Sequence, residues 1–283
     1  MADGPVTPLA RLRAARGYVF DLDGTLVLGD RNNQGLAPLP GAVEITRWVA
    51  GRGLPIAVFT NGTTKTPQHL ARTLTSIGFD LPADAVLTPA SSAVAVFVRR
   101  GYRRVLVLGG DGIIGPLHDA GIEVVMPDGR PPAVDAVLAG WFPEFTLPAL
   151  ESACHAVWAG ARLYSASQSL FFATAGGRSI GTSRAISAMI GSLTGVRARL
   201  VGKPSLAALR TAGARLGVPV ADLVVVGDDP ELEVPMAHRG SALAVAVSSG
   251  LGGPDSYRHL PPERQPHLHV SGVDELLTLC QGG

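Results

Sequence analysis

The sequence has little cysteine: Cys154 and Cys280 are the only two in 283 residues, far apart and in no CxxC spacing. A disulfide framework and a thiolate metal knuckle are excluded, and both thiols read as structural, as expected in a reducing compartment. An excess of either charge is missing too, with 24 Lys and Arg against 23 Asp and Glu. Such a balance gives no field for nucleic acid or an anionic membrane, so the expected partner is small. No run of 18 or more apolar residues occurs, and the opening MADGPVTPLARLRAARG has arginines but no apolar stretch of the signal-peptide kind. A cytoplasmic protein with no membrane contact is the expectation. Lysine is the scarcest charge, since only Lys65 and Lys203 occur among the 24 basic residues. A compact ammonium does what a planar guanidinium cannot, so the context of each lysine is informative.

What is present is a large apolar fraction, 46%, enough for a real core of one or two domains. Short β-branched runs alternate with helical patterns: RGYVF, GAVEITRWVAGRG, LPIAVFTNG, PQHLARTLTSIG, and so on to ADLVVVGDD, PELEVPMAHRG and SALAVAVSSG. This punctuation predicts a parallel α/β architecture. Strands such as LVVV and LAVAV are apolar throughout, as expected where both faces are covered.

Ligands of open parallel sheets collect beyond the carboxyl ends of the strands. Four such ends carry suggestive chemistry: Asp21 and Asp23 after YVF, Thr60 and Asn61 after IAVF, Lys203 in LVGKPS, and Asp228 with Asp229 after LVVVG. Each piece alone has a plain reading, because Asp and Gly after a strand are ordinary turn residues and Asp228-Asp229-Pro230 could cap a helix. Together they offer hard oxygen ligands of the kind Mg²⁺ uses with a phosphate substrate, one hydroxyl and one lysine. The ordered set points to phosphoryl chemistry.

With these residues in view, the sequence resembles the haloacid dehalogenase superfamily of aspartate-nucleophile phosphohydrolases. DLDGTL at 21 to 26, FTNG at 59 to 62, GKP at 202 to 204 and GDD with Glu233 are similar to its four motifs in order. The long insert resembles the α/β cap of its class IIA branch, which has p-nitrophenyl phosphatase-like and phosphoglycolate phosphatase-like members. The resemblance implies an α/β fold: a Rossmann-like doubly wound parallel-sheet core over 1–88 and 200–283, with a cap domain inserted over 89–199. It implies a Mg²⁺-dependent phosphatase acting on a small phosphorylated metabolite through an aspartyl-phosphate, with caps that often pair into homodimers. Asp21 would be the nucleophile, Asp23 the acid and base, and Thr25 would orient Asp23. Thr60, Asn61 and Gly62 would hold phosphoryl oxygens, and Lys203 would neutralise charge. Asp21, Asp23 through its carbonyl, and Asp228 would bind the metal. The branch usually has an aspartate five residues after the first acid of its fourth motif; here Glu233 stands there and Asp229 is extra, so either would support the metal.

Three other readings remain. Gly110, Gly112 and Gly115 form GxGxxG after the strand run RRVLVLG, with Asp128 further on, nearly a dinucleotide fingerprint. A catalytically silent protein that binds phosphorylated metabolites would keep the same residues. A phosphomutase would as well. Substrate choice is expected between about 140 and 183, where Ser167 and Gln168 would approach the substrate. Lys65 reads as a surface residue, and His267 with His269 as a solvated face of an edge strand.

Overall fold

The computed structural model describes residues 7–30, 35–174 and 177–282. Strands form where the apolar runs lie. Gly17–Phe20, Ile56–Phe59, Leu223–Gly227 and Leu243–Val247 are buried at every position. With Val86–Leu87 and Leu268–Val270 they build a six-stranded parallel sheet, in the order 268–270, 243–247, 223–227, 17–20, 56–59, 86–87. From Gly17–Phe20 the chain first adds strands on one side, then crosses over and adds the rest on the other. That crossover puts a topological switch point between Gly17–Phe20 and Leu223–Gly227, where α/β sheets open a crevice.

Successive side chains of these strands point to opposite faces, and both faces are covered. Tyr18, Phe20, Val224 and Val226 pack with helices Ala42–Gly51, Pro67–Ser76 and Val273–Gln281. Val19, Val225, Ala244 and Ala246 pack with helices Leu206–Leu216 and Glu233–Arg239. The expected doubly wound architecture is therefore present.

A second parallel sheet of five strands lies between them in sequence, in the order 199–200, 162–165, 136–139, 104–108, 123–125. Helices Leu147–Trp158 and Thr182–Thr194 cover one face. Pro89–Arg100 and Asp111–Asp119 cover the other. Helix Pro89–Arg100 touches both Leu206–Leu216 and Asp111–Asp119, so it joins the two layered units.

The glycine cluster after RRVLVLG has a packing role. Gly110 precedes helix Asp111–Asp119, and Gly112 lies in its first turn. A Cβ on Gly112 would sit 2.3 Å from the Thr63 carbonyl oxygen and 2.8 Å from the Lys65 backbone. A dinucleotide would need that glycine surface open for its pyrophosphate. The loop after Ile56–Phe59 fills it instead, which removes the dinucleotide reading. Lys65 is half-buried, its backbone forming part of this contact.

The histidine pair also differs from expectation. His267 and His269 lie on and beside the edge strand, but they are half-buried and hydrogen-bonded rather than solvated. His267 Nδ1 accepts from the Ala244 amide at 2.9 Å, and its ring stacks on His238 at 4.6 Å. His269 Nε2 pairs with Ser248 Oγ at 2.9 Å. Burial, then the nearby His238 and Arg11, push His267 down to about 4.

Two outcomes are expected. Gly112→Ala forces a methyl into backbone and lowers unfolding free energy by about 1–3 kcal/mol, read by urea denaturation. For His267, both folded and unfolded chains are neutral above its ordinary value near 6.5. Between there and about 4 only the unfolded chain takes the proton, so stability falls as pH falls. His267→Asn keeps an acceptor without the titration, so wild-type stability relative to this variant should decline across that window; a flat difference would refute the assignment.

Candidate active site

The acids predicted from the strand ends converge at the switch point. Asp21 follows Gly17–Phe20 directly, its amide donating to the Val226 carbonyl at 2.8 Å. Asp228 follows Leu223–Gly227, one strand over. Gly24 turns the chain with φ +89°, and a Cβ there would lie 2.5 Å from Asp228 Oδ2. Only glycine meets both demands, the left-handed backbone and the close approach.

Lys203 is 1% exposed and stands between two carboxylates. Its ammonium donates to Asp21 Oδ1 and contacts Glu233 Oε1 at 2.7 Å, off the ideal hydrogen-bond direction. Burial alone would lower this ammonium, but Asp21 and Glu233 outweigh it and hold Lys203 above its ordinary value. Glu233 is itself buried, and its Oε2 accepts from the Asp229 amide at 3.2 Å. Burial raises Glu233, and the Lys203 charge opposes the rise.

Asp23 keeps part of its surface open to the cavity. Burial and then the Asp21 charge push it up to about 7, against the Thr60 hydroxyl and Lys203. Thr60 Oγ1 donates to Asp23 Oδ2 at 3.0 Å and accepts from the Gly62 amide at 2.9 Å. Thr25, expected to orient Asp23, turns its hydroxyl to Asp21 Oδ2 instead, at 3.5 Å. Orientation of Asp23 therefore falls to Thr60.

Asn61 has two kinds of partner. Its side chain clasps the Lys203 backbone, Oδ1 accepting from the amide at 2.9 Å and Nδ2 donating to the carbonyl at 3.0 Å. The same Nδ2 reaches Ser167 Oγ at 3.3 Å. Its side chain thus ties Lys203 to the second sheet, leaving only its backbone for a phosphoryl oxygen.

A cavity of about 90 Å³ unites Asp21, Asp23, Thr60, Asn61, Gly62, Lys203, Asp228 and Asp229. Glu233 stands behind it, against Lys203. Ser167 lines the cavity, whereas Gln168 faces the neighbouring open groove. Several lining groups were not singled out from sequence: Trp141, Ser169, Phe171, Thr182 and Ser183 of the second unit, and the loop after Leu243–Val247. In that loop the Leu251 amide donates to Asp228 Oδ2 at 2.7 Å, and a Cβ on Gly250 would lie 1.9 Å from the same oxygen. The signal was the SSGLGG run closing an apolar strand, a cue given no role above.

Positive charge is scarce here. Among the described residues, Asp21, Asp23, Asp228, Asp229 and Glu233 share Lys203 alone. Asp228 is raised well above its ordinary range, first by burial and then by Asp21 and Glu233. Buried carboxylates so placed fit a divalent cation, which would relieve the repulsion. Among the described residues no group of three or more His, Cys, Asp or Glu side chains forms a complete cage. Two carboxylates and a backbone carbonyl, with waters, suit Mg²⁺, which is seldom held by an all-protein cage. Between the two acids left open by sequence, Glu233 is engaged with Lys203, while Asp229 faces the cavity and accepts from the Glu231 amide at 2.8 Å.

Paired carboxylates beside a buried lysine at the switch point of a parallel sheet accompany a match to known hydrolases. The chain matches the haloacid dehalogenase-like hydrolase family model over residues 18–123 and the HAD-hydrolase-like model over 200–276. It belongs to the haloacid dehalogenase-like hydrolases, in their capped class IIA branch. It is 28% identical to the 5'-nucleotidase YutF of Bacillus subtilis over 275 residues, 94% of this chain and 97% of that one. The 4-nitrophenylphosphatase of Thermotoga maritima shares the fold with a TM-score of 0.84 at 23% identity, covering 96% of this chain and 99% of that one. The glycerol phosphate phosphatase of Mycobacterium tuberculosis in complex with magnesium gives 0.76 at 25% identity, covering 90% of this chain and 74% of the other.

A cation-poor acid cluster makes stability depend on metal. Mg²⁺ at one hundred times its Kd should raise unfolding free energy by about 2.7 kcal/mol over the chelated protein. Asp228→Asn should abolish that gain in thermal melts; an unchanged shift would remove Asp228 from the metal site.

Proposed function

We propose that this protein is a Mg²⁺-dependent phosphoric monoester hydrolase of small phosphorylated metabolites, working through an aspartyl-phosphate. The observation that carries the reading is the Lys203–Asp21 ion pair beside Asp23, an acid held near 7, inside one small cavity. The three relatives named above support it, since their names share a phosphate ester and differ in the alcohol. In this reading 1–88 with 200–283 act as the catalytic core, and 89–199 as a cap that closes over the substrate.

Asp21 Oδ attacks phosphorus as the bond to the alcohol oxygen breaks, which splits one hard displacement into two easier ones. Asp23 gives its proton to the departing oxygen. It then takes a proton from water, which attacks the aspartyl-phosphate, frees inorganic phosphate and restores the Asp21 carboxylate. An acid near neutral pH is suited to both transfers. Thr60 holds Asp23 in place. Lys203 pairs with the nucleophile and offsets charge on the transferring group, and the Asn61 and Gly62 backbone completes the phosphoryl cradle. Asp21, the Asp23 carbonyl and Asp228 would hold Mg²⁺, which when bound supplies positive charge to the phosphoryl oxygens. Asp229 would support it through water, and Glu233 would fix Lys203.

The test is release of p-nitrophenol from p-nitrophenyl phosphate. Wild type should need Mg²⁺, Asp21→Asn should fall to background, and Asp23→Asn should lose about 10²–10⁴ in kcat. Retained turnover in Asp21→Asn would overturn the nucleophile. Binding of phosphate esters with no turnover of any would make the protein a silent binder.

A further inference from the structure

We infer that Tyr257 is a positioning residue for the metal site, whose buried hydroxyl holds the 249–253 loop and the acids beside it in the arrangement a divalent cation needs. The inference rests on the Mg²⁺-dependent reading above and extends it to a side chain that does not line the cavity.

Tyr257 belongs to Pro254–Arg258, the short helix after the loop that closes Leu243–Val247. It is 3% exposed, and among the described residues its hydroxyl has no hydrogen-bond partner. The ring packs in the apolar layer that holds Val234, Met236 and Ala237 of helix Glu233–Arg239, with the His269 ring 5.2 Å away and edge-on. His269 is in turn tied to Ser248 Oγ at 2.9 Å. Phenylalanine would fill this layer equally well without burying an unpaired hydroxyl, which costs free energy. What the hydroxyl faces decides what it can do.

A Cβ on Gly252 would lie 2.6 Å from the Asp228 carbonyl oxygen and 3.1 Å from Tyr257 Oη, so both oxygens close on the same side of that glycine. The Gly252 amide donates to the Asp228 carbonyl at 2.9 Å, and the Leu251 amide donates to Asp228 Oδ2 at 2.7 Å. Ser249 Oγ donates to the Gly24 carbonyl at 2.7 Å, one residue past Asp23. One loop thus grips Asp228 and the turn that follows Asp23, and Tyr257 Oη stands against the middle of it.

The acids have nearly exhausted their other donors. Thr25 serves Asp21, Thr60 serves Asp23, and backbone amides serve Asp228, Asp229 and Glu233 Oε2. Glu233 Oε1 has only the Lys203 contact, off the hydrogen-bond direction. Burial, then Glu233, Asp228 and Asp229 hold the Tyr257 phenol above its ordinary value, so it remains an O–H. Tyr164, also buried, has Tyr102, Arg100 and Arg199 around it instead of acids. A neutral O–H offsets part of the repulsion among carboxylates without adding a charge that would compete with the cation.

The experiment measures the Mg²⁺ Kd by isothermal titration calorimetry, and the melting temperature of the chelated protein, for wild type, Tyr257→Phe and Tyr164→Phe. Tyr257→Phe keeps the ring and should raise the Mg²⁺ Kd about tenfold, as loss of a group that orients metal-binding carboxylates does. Its chelated melting temperature should not fall, because no hydrogen bond within the protein is lost. Tyr164→Phe, which removes a buried hydroxyl far from the acids, should keep the wild-type Kd. A wild-type Kd in Tyr257→Phe, whatever its melting temperature, would overturn the assignment and leave the metal site and the phosphatase reading standing. An equal rise in Tyr164→Phe would overturn it too, as a general effect of lost hydroxyls. No Mg²⁺ binding by wild type would remove the metal reading, and the role of Tyr257 with it.

Discussion

The structure of the site depends on one buried cation. Lys203 is held by Asp21 and Glu233 below solvent, and among the described residues it is the single positive side chain beside five acids. A lone charge in so dry a place is costly unless it is paired. Lys203 gives Asp21 a counter-charge, while burial and then the Asp21 charge push Asp23 up to about 7 against Thr60 and Lys203.

Most of the supporting detail serves to keep that amine still. Glu233 fits against Gly227, where a Cβ would lie 2.1 Å from Glu233 Cγ. Asn61 clasps the Lys203 peptide from the other side, and a Cβ on Gly202 would lie 2.6 Å from Asn61 Oδ1. Glycines at 24, 202 and 227 are thus spatial requirements of charge placement more than features of turns.

Much of this was legible in sequence. Strands such as LVVVG were legible because an apolar β-branched run between turn residues has few alternatives, and Asp21, Asp23, Thr60, Lys203 and Asp228, picked out by their places near strand ends, come together in one cavity. Scarcity of lysine drew attention to Lys203 before any contact was known. What sequence could not show was which neighbour each group would choose across long separations. Thr25 faces Asp21 and not Asp23, a matter of rotamer and turn geometry. GxGxxG at 110 to 115 looked like a ligand loop because tight backbone approach has the same signature whether the visitor is a nucleotide or the protein's own Thr63. Hydroxyls at Thr182 and Ser183 carry no spacing signal, since their meaning comes from a cavity assembled by residues over a hundred positions away.

The route by which Lys203 arrives has a mechanical consequence. Leu200 is pinned to Ser165 in the edge of the second sheet, and only Val201 and Gly202 separate it from the lysine. Three residue steps span at most about 10 Å when fully extended. The lysine therefore hangs on a tether with little slack, anchored at one end in the second sheet and at the other on Asp21. With the Lys203 peptide clasped by Asn61, any motion of the second unit turns about Val201 and Gly202. The ammonium beside Asp21 is thus fixed by the first unit's own Asn61 and Glu233, and the second unit joins it through two residues.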